Sequence, residues 1–306
     1  MPVIPDKLRW SLSLALLLIF IVFIEIYVGW SKLLLPWLTV DPALLALMMA
    51  LVLGSYALRA VRLYVFFRST IQGEFMLALK MMLQHNLANN FLPMRSGELT
   101  FPMLMSAYFR IPLSRSVPAL LWFRLFDLHV LGLLAMGALG VQWFGVALWG
   151  PVAIVWLSLP WLLFGFNHWL LERLGNRERG RLTGLLVKLL EGAPADHGLL
   201  LKTWFWSLIN WVVKLLSFAW LLALFAKLTP SQALLGVIGG ELTSVLPIHG
   251  VAGAGTYEAG IVAALLPAGV KAEVAVTAAV NVHLFLLGSC LLGGLLSLAL
   301  GRRRVA

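Results

Sequence analysis

Charge is what this chain has least of. Only 12% of its 306 residues are Asp, Glu, Lys or Arg, where a soluble domain carries roughly 25%. That scarcity excludes an ordinary water-soluble fold. Cysteine is almost missing as well. The single one, Cys290, lies in an apolar segment, so no internal disulfide forms and metal sites built on several cysteines are excluded. It reads as a small buried hydrophobe. Enzyme signatures are also missing: no Gly-x-Ser-x-Gly, no His-Glu-x-x-His, and no phosphate loop ending in Gly-Lys-Ser/Thr. The chain is therefore expected not to be an enzyme and to carry no cofactor and no metal, and ATP-driven pumping would need a partner. The alternating ten-residue segments of a membrane β-barrel are absent too.

What remains is apolar. Hydrophobic residues make up 61% of the chain, with 13 Trp and 17 Phe. Several stretches run 18 or more residues almost without charge, enough to cross a hydrocarbon core of roughly 30 Å. The expected fold class is an all-α polytopic membrane protein. The formal net charge of +10 then reflects the positive-inside rule rather than nucleic-acid binding. Lys7 and Arg9 precede an apolar run from Trp10 to Val28. That run is long for a signal peptide and no small-residue cleavage site follows it, so it is expected to stay as a first span.

Six segments read as full spans: about 10–30, 42–66, 116–140, 143–170, 200–226 and 273–300. Two others, 74–110 and 231–267, each hold two helix-like runs broken in the middle by Pro and Gly. Residues 171–199 form the one sizeable polar loop, with five basic and four acidic residues. It reads as a cytoplasmic connection with a short surface helix. With the N-terminus in the cytoplasm, fifteen basic residues collect on that side: Lys7, Arg9, Arg59, Arg62, Arg68, Arg110, Arg115, Arg173, Arg177, Arg179, Arg181, Lys188 and Arg302 to Arg304. Three fall outside: Lys32, Lys227 and Lys271. The imbalance favours this orientation, with both termini inside. Each broken segment must then enter and leave on one face, whether it re-enters or crosses fully. Each half holds three full spans, an odd number, so the second half is inverted relative to the first. The expected organisation is an inverted-topology repeat, residues 1–141 against 142–306. Transporters of this construction place the substrate at the repeat interface.

The two breaks say nearly the same thing. The first reads Asn90-Phe91-Leu92-Pro93-Met94-Arg95-Ser96-Gly97-Glu98. The second reads Val245-Leu246-Pro247-Ile248-His249-Gly250, then Gly253, Gly255, Thr256 and Glu258. Irregular backbone at membrane depth is tolerable only when buried in protein or lining a polar cavity. Ionisable groups there cost roughly 2.5–3.5 kcal/mol each, so they are functional candidates. In the first break these are His85, Asn86, Asn89, Asn90, Arg95 and Glu98, the three Asn sharing one helical face. Arg95 offers a planar donor fork suited to phosphate. Glu98 either pairs with it or opens the next helix. In the second break, His249, Thr256 and Glu258 flank glycines whose amides could cradle an anion. On the spans, Arg124 and Asp127 are i, i+3 neighbours, open to either a structural bridge or substrate contact, and His129 follows. His283 and Asn281 hold the corresponding place in the second half: Glu98 to Arg124 is 26 residues and Glu258 to His283 is 25. Lys214 sits mid-span and ranks lower, as does Asn281.

These motifs resemble the lysylphosphatidylglycerol synthase transmembrane, or flippase-like, family. The residues that carry the resemblance are Asn-x-x-Leu-Pro-x-Arg-x-Gly-Glu at 89–98 and Leu-Pro…Gly-x-Gly-Thr-x-Glu at 246–258. Members often carry Glu-Arg-x-x-Asp after the first hairpin. Arg124 and Asp127 match, while Phe123 stands in place of the Glu. A basic residue in the last span is also usual, a position His283 fills. The resemblance implies transbilayer movement of lipids or glycolipids. In the namesake proteins a soluble aminoacyl-transferase domain follows, and this chain ends at Ala306, so a stand-alone flippase-like member is expected. The expected function is translocation of an anionic phospholipid, polyprenyl-phosphate lipid or glycolipid in a bacterial inner membrane. Arg95, Arg124 and His249 would hold the head group, and Glu98 and Glu258 would balance charge, with protons as the coupling ion. The alternatives are an ion- or proton-coupled carrier of a small soluble anion, a membrane enzyme acting on a lipid head group, and a non-transporting subunit. Nucleic acid is not an expected partner, and nothing in the sequence sets an oligomeric state.

Overall fold

Inside a bilayer a chain must close its backbone hydrogen bonds within itself, and for long apolar runs the solution is a helix. The computed structural model describes residues 18–175, 181–243 and 251–300, and every regular element among them is helical. Among the described residues five helices are long and apolar enough to cross a membrane: Pro42–Phe66, Leu113–Gly140, Phe144–Leu174, His197–Ala226 and Ala272–Ala299. A bent pair raises the number to six. The protein is an all-α polytopic membrane protein.

The bent pair is the first surprise. Helix α1 (Leu18–Tyr27) turns by 79° into α2 (Trp30–Thr39). Gly29, at φ 84°, makes the turn in a conformation that side chains disfavour. The region after residue 30, which read as a connection holding Lys32, is thus helical. Ile24 and Leu33 bury against Val280 of the last helix, which holds the bent pair in place.

Helix α3 (Pro42–Phe66) is followed by the short α4 (Arg68–Ile71). The first broken segment is then α5 (Phe75–Phe91), a 3₁₀ turn (Pro93–Leu99) and α6 (Thr100–Phe109). The run α7 (Leu113–Gly175) holds two spans that part at Gly145, where φ is 71°. Its limbs run antiparallel: the Trp149 indole donates to the Met136 carbonyl at 3.0 Å and the Trp156 indole to the His129 carbonyl at 2.9 Å. Helix α8 (Arg181–Leu190) falls inside the expected polar connection. Its Val187 is buried, and its last carbonyl accepts from Asn167 at 3.2 Å. Helix α9 (His197–Ala226) leads to the second broken segment: α10 (Pro230–Thr243), a 3₁₀ turn (Val251–Gly253) and α11 (Thr256–Leu265). Helix α12 (Ala272–Ala299) follows.

The spans differ sharply in their surroundings. Half or more of the apolar window is buried in Leu113–Gly140 and His197–Ala226, but only 6% in Phe144–Leu174. Val146, Ile154 and Leu162 of that limb point outward, and lipid is their environment. The polar residues discussed below therefore lie on the other spans.

By contact the chain forms two units, each drawn from both sequence halves. The first comprises Met1–Tyr56, Leu83–Thr100 and Val213–Ala299; the second comprises Ala57–Met82, Phe101–Val212 and Leu300–Ala306. In the first unit, α10 and α11 pack backbone to backbone. A Cβ added at Gly239 would run into the Gly260 carbonyl, and one at Gly260 into that of Gly239. Small residues allow such close approach where lipid supplies no hydrophobic drive. In the second unit Phe67, Phe101 and Phe123 form the core, with a further cluster of Trp122, Phe126 and Phe164.

Candidate functional site

The first break begins with proline. Leu92 takes an extended conformation (φ −77°, ψ 137°) before Pro93 opens the 3₁₀ turn, as the pyrrolidine ring demands of its predecessor. The turn folds back onto the last turn of α5. A Cβ at Gly97 would lie 2.7 Å from the Ala88 carbonyl carbon, so the motif's glycine is a close-approach glycine. The Thr100 hydroxyl donates to the Gly97 carbonyl at 2.6 Å and accepts from His85 Nδ1 at 2.9 Å. Asn90 bonds the Asn86 carbonyl at 2.8 Å, and Asn86 reaches Cys290 Sγ at 3.4 Å. The Tyr56 hydroxyl lies 2.7 Å from Ser289 Oγ beside the same sulfur. Asn89 is half-buried and its Oδ1 has no hydrogen-bond partner. Glu98 is half-buried in the turn. Arg95 lies in the turn, but its side chain is outside the described set.

Pro247, His249 and Gly250 of the second break also lie outside the described residues. The backbone next to them is left-handed at Ala252 (φ 55°), Gly253 (φ 73°) and Gly255 (φ 82°). The Thr256 hydroxyl donates to the Gly253 carbonyl at 2.9 Å. Glu258 uses both oxygens. Oε2 accepts the Gly255 N–H at 2.8 Å and so caps α11, while Oε1 is 2.6 Å from His283 Nδ1. The Tyr257 ring sits 4.8 Å from the His283 ring, and its hydroxyl is 3.5 Å from Glu241 Oε1. Glu241 Oε2 accepts from Lys214 Nζ at 2.7 Å. Lys214, Glu241, Glu258 and His283 are all under 8% exposed. Lys214 thus belongs to a buried pair, and Glu241, not singled out in the sequence, completes it. An acid within the apolar run of α10 was the available signal. In this same unit the two 3₁₀ turns, Pro93–Leu99 and Val251–Gly253, pack against each other.

The second unit holds a separate ionic cluster. Arg62 reads from the sequence as a cytoplasmic charge, but the structure buries it to 5% exposure. Its guanidinium donates to Asp127 at 2.5 Å and to Ser207 at 2.8 Å. The Trp211 indole donates to the same Asp127 oxygen at 3.0 Å. Arg62 also lies 4.7 Å over the Phe123 ring, a cation–π contact. The expected Arg124–Asp127 pair is the looser contact, at 3.7 Å with Arg124 29% exposed. Asp127's tight partner is Arg62, 65 residues away in sequence. Arg59 acts on the same carboxylate. Three guanidiniums, those of Arg62, Arg59 and Arg124, thus act on one carboxylate. Asn210 of α9 lies one turn from Ser207 and next to Trp211. It is 1% exposed, and neither amide atom has a hydrogen-bond partner.

Two candidates are structural. His129 Nε2 donates to the Trp156 carbonyl at 2.8 Å, and Nδ1 accepts from the Trp204 indole at 3.0 Å. That fixes a neutral imidazole in one tautomer. Asn281 accepts from the Trp37 indole at 2.6 Å and donates to the Leu33 carbonyl at 2.7 Å, tying α2 to α12. Beside His129 an apolar crevice of about 130 Å³ is lined by Trp122, Phe126, Trp156, Pro160 and Leu163. Among the described residues no three His, Cys, Asp or Glu stand together as a metal site.

A family model for the lysylphosphatidylglycerol synthase transmembrane region matches residues 10–294. The chain belongs to that family. The match runs through both helical breaks and both ionic clusters, and membership fits a membrane lipid-related function. No curated protein and no solved structure matches the chain. Within the family pattern, this member has Phe123 covering Arg62 and His283 joined to the acid of the second break.

Proposed function

We propose that this protein moves an anionic lipid across a bacterial plasma membrane, with the head group bound at the Arg62–Asp127–Arg124 cluster. One observation carries the reading. Three guanidiniums, Arg62 buried and Arg59 and Arg124 half-buried, converge on the Asp127 carboxylate beside the buried Asn210 amide, whose atoms have no hydrogen-bond partner. A phosphate group offers oxygens to both guanidinium forks and amides. Arg124, partly exposed, is the entry donor. Arg62, held by Asp127 and Ser207, is the fixed one. The apolar crevice on the same helix suits a hydrocarbon chain better than a soluble solute, which favours a lipid over a free anion.

The orientation with both termini in the cytoplasm is part of this reading, supported by the distribution of basic residues, which is thirteen to three once Arg59 and Arg62 are assigned to the Asp127 cluster. The inverted repeat is supported by the packing of the two breaks against each other. The test is reconstitution in phosphatidylcholine vesicles carrying labelled phosphatidylglycerol or a labelled polyprenyl phosphate. Loss of label to an external quencher should pass one half with wild-type protein and stay near one half with Arg124→Ala. Uptake of free phosphate without lipid movement would instead make the protein a carrier of soluble anions. A changed lipid species by mass spectrometry would make it an enzyme.

A further inference from the structure

The lipid reading uses the Arg62–Asp127–Arg124 cluster and leaves the buried Glu258–His283 pair without a role. Helix capping explains only half of its geometry. A carboxylate at the third position of a helix satisfies orphan amides, and Oε2 does this for Gly255 at 2.8 Å. Capping does not require burial to 5% exposure, nor a histidine 2.6 Å from the other oxygen.

The pair holds one proton in each of its neutral arrangements, as carboxylate with imidazolium or as carboxylic acid with imidazole. Losing that proton leaves a net negative charge away from water, which desolvation opposes. Histidine is the side chain that exchanges protons near neutral pH. The groups facing the pair come from several elements. Helix α9 brings Lys214 and α10 brings Glu241, committed to each other at 2.7 Å. Helix α11 brings Tyr257, whose ring lies on His283 and whose hydroxyl reaches Glu241. Helix α3 brings Tyr56, near enough to Tyr257 to act on it. The pair therefore sits beside an already neutralised ion pair, joined to it through a phenol.

The pair is also wired to the break. The Gly255 amide it caps belongs to a turn with three left-handed residues, Ala252, Gly253 and Gly255. Protonated, Glu258 is a weaker acceptor for that amide; ionised, it is a stronger one. The proton count on the pair thus biases the turn that joins α10 to α11.

We infer that the Glu258–His283 pair is a proton-binding site and that its proton is the coupling ion of transport. The inference rests on the lipid-translocation reading for its cargo. One proton is taken from water on one side and released on the other, and no other bond changes. Moving with a singly charged anionic head group, it makes the cycle electroneutral.

The experiment imposes a pH gradient on vesicles containing the protein and labelled phosphatidylglycerol, and reads the inner-to-outer ratio of label at equilibrium. That ratio depends neither on protein orientation nor on the fraction active. Coupling of one proton per lipid shifts it about tenfold per pH unit, and the ratio should return to one in Glu258→Gln and His283→Gln. Wild-type protein that equilibrates lipid and ignores the gradient overturns the proton site and leaves the lipid reading standing. If no lipid moves under any condition, the lipid reading fails, and infrared titration of the purified protein decides the site alone. A carboxyl or imidazole band that titrates in wild type and is missing in Glu258→Gln supports it, and its absence in wild type overturns it. Should His283→Gln not fold, Glu258→Gln carries the comparison, because its amide oxygen keeps the Gly255 bond.

Discussion

At the scale of single residues, the two ionic clusters are stabilised by the same logic and should fail in the same way. Asp127→Ala would leave Arg62 buried at 5% exposure with its main partner gone. Removing one partner of a buried pair costs about 3–5 kcal/mol. Thermal unfolding in detergent should show that loss, and Arg62→Leu in the same chain should restore most of it. A double variant no more stable than the single one would show that the pair does not hold the fold. Asn281→Leu is expected to behave differently. It strands the Trp37 indole and removes the second bond to the Leu33 carbonyl, costing about 1–3 kcal/mol, while lipid movement per folded molecule holds. These residues also mark where the sequence could be read and where it could not. Asp127, Glu258 and His283 stood out because ionisable groups are rare in apolar spans. Arg62 did not, because it lies one turn from the end of α3, where an arginine normally snorkels to water. Its burial depends on Asp127 and Ser207, which are distant in sequence. Glu241 was hidden inside a segment whose punctuation drew attention to the loop instead.

At the scale of elements, the broken hairpins were legible from Pro and Gly alone, and their internal register was not. The repeated phrase aligns Glu98 with Glu258. The structure offers a second correspondence, in which Thr100 and Thr256 each donate to a glycine carbonyl three residues back, at 2.6 Å and 2.9 Å. Counted from those threonines, Asp127 and His283 both lie 27 residues on. In both halves, then, the helix after the break carries one end of a buried acid–base pair at the same position, with an acid in the first half and a base in the second. By that count Glu98 stands before its helix and Glu258 inside one. That places Glu258 where it caps a helix N-terminus, at the Gly255 amide. The bend at Gly29 was missed for a related reason, since a single glycine in an apolar run signals no angle. The second hairpin makes its own prediction. Gly239→Ala would press a methyl group onto the Gly260 carbonyl and should cost about 1–3 kcal/mol as overpacking. A circular dichroism melt of the purified variant reads this directly, and an unchanged melt would mean that α10 and α11 are not held backbone to backbone.

At the scale of the whole molecule, the class and span count followed from composition, because hydropathy is the constraint a bilayer enforces most strictly. Five of the six expected spans reappear with nearly the expected bounds. Orientation is read from charge alone and has its own check. Lys32 and Lys188 are both exposed and fall on opposite sides of the scheme. In a chain whose buried Cys290 is replaced by Ala, Lys32→Cys should react with a membrane-impermeant maleimide on intact cells. Lys188→Cys should react only after the cells are opened. The reverse pattern would invert the topology.

The outlying limb Phe144–Leu174 is 31 residues long, about 46 Å of helix at 1.5 Å per residue, against a hydrocarbon core of roughly 30 Å. Hardly any of its apolar window is buried, and Trp149 and Trp156 fasten it along one edge. Its apolar stretch, Phe144 to Phe166, is about 35 Å long, so it leans, and leans further as the bilayer thins. The load of that leaning falls on the limb's few ties: the two indole bonds, the His129 ring, Asn167 and Phe164. Acyl-chain length is thus a mechanical input to this protein, delivered at the position of His129, whose carbonyl and ring both bond Trp156.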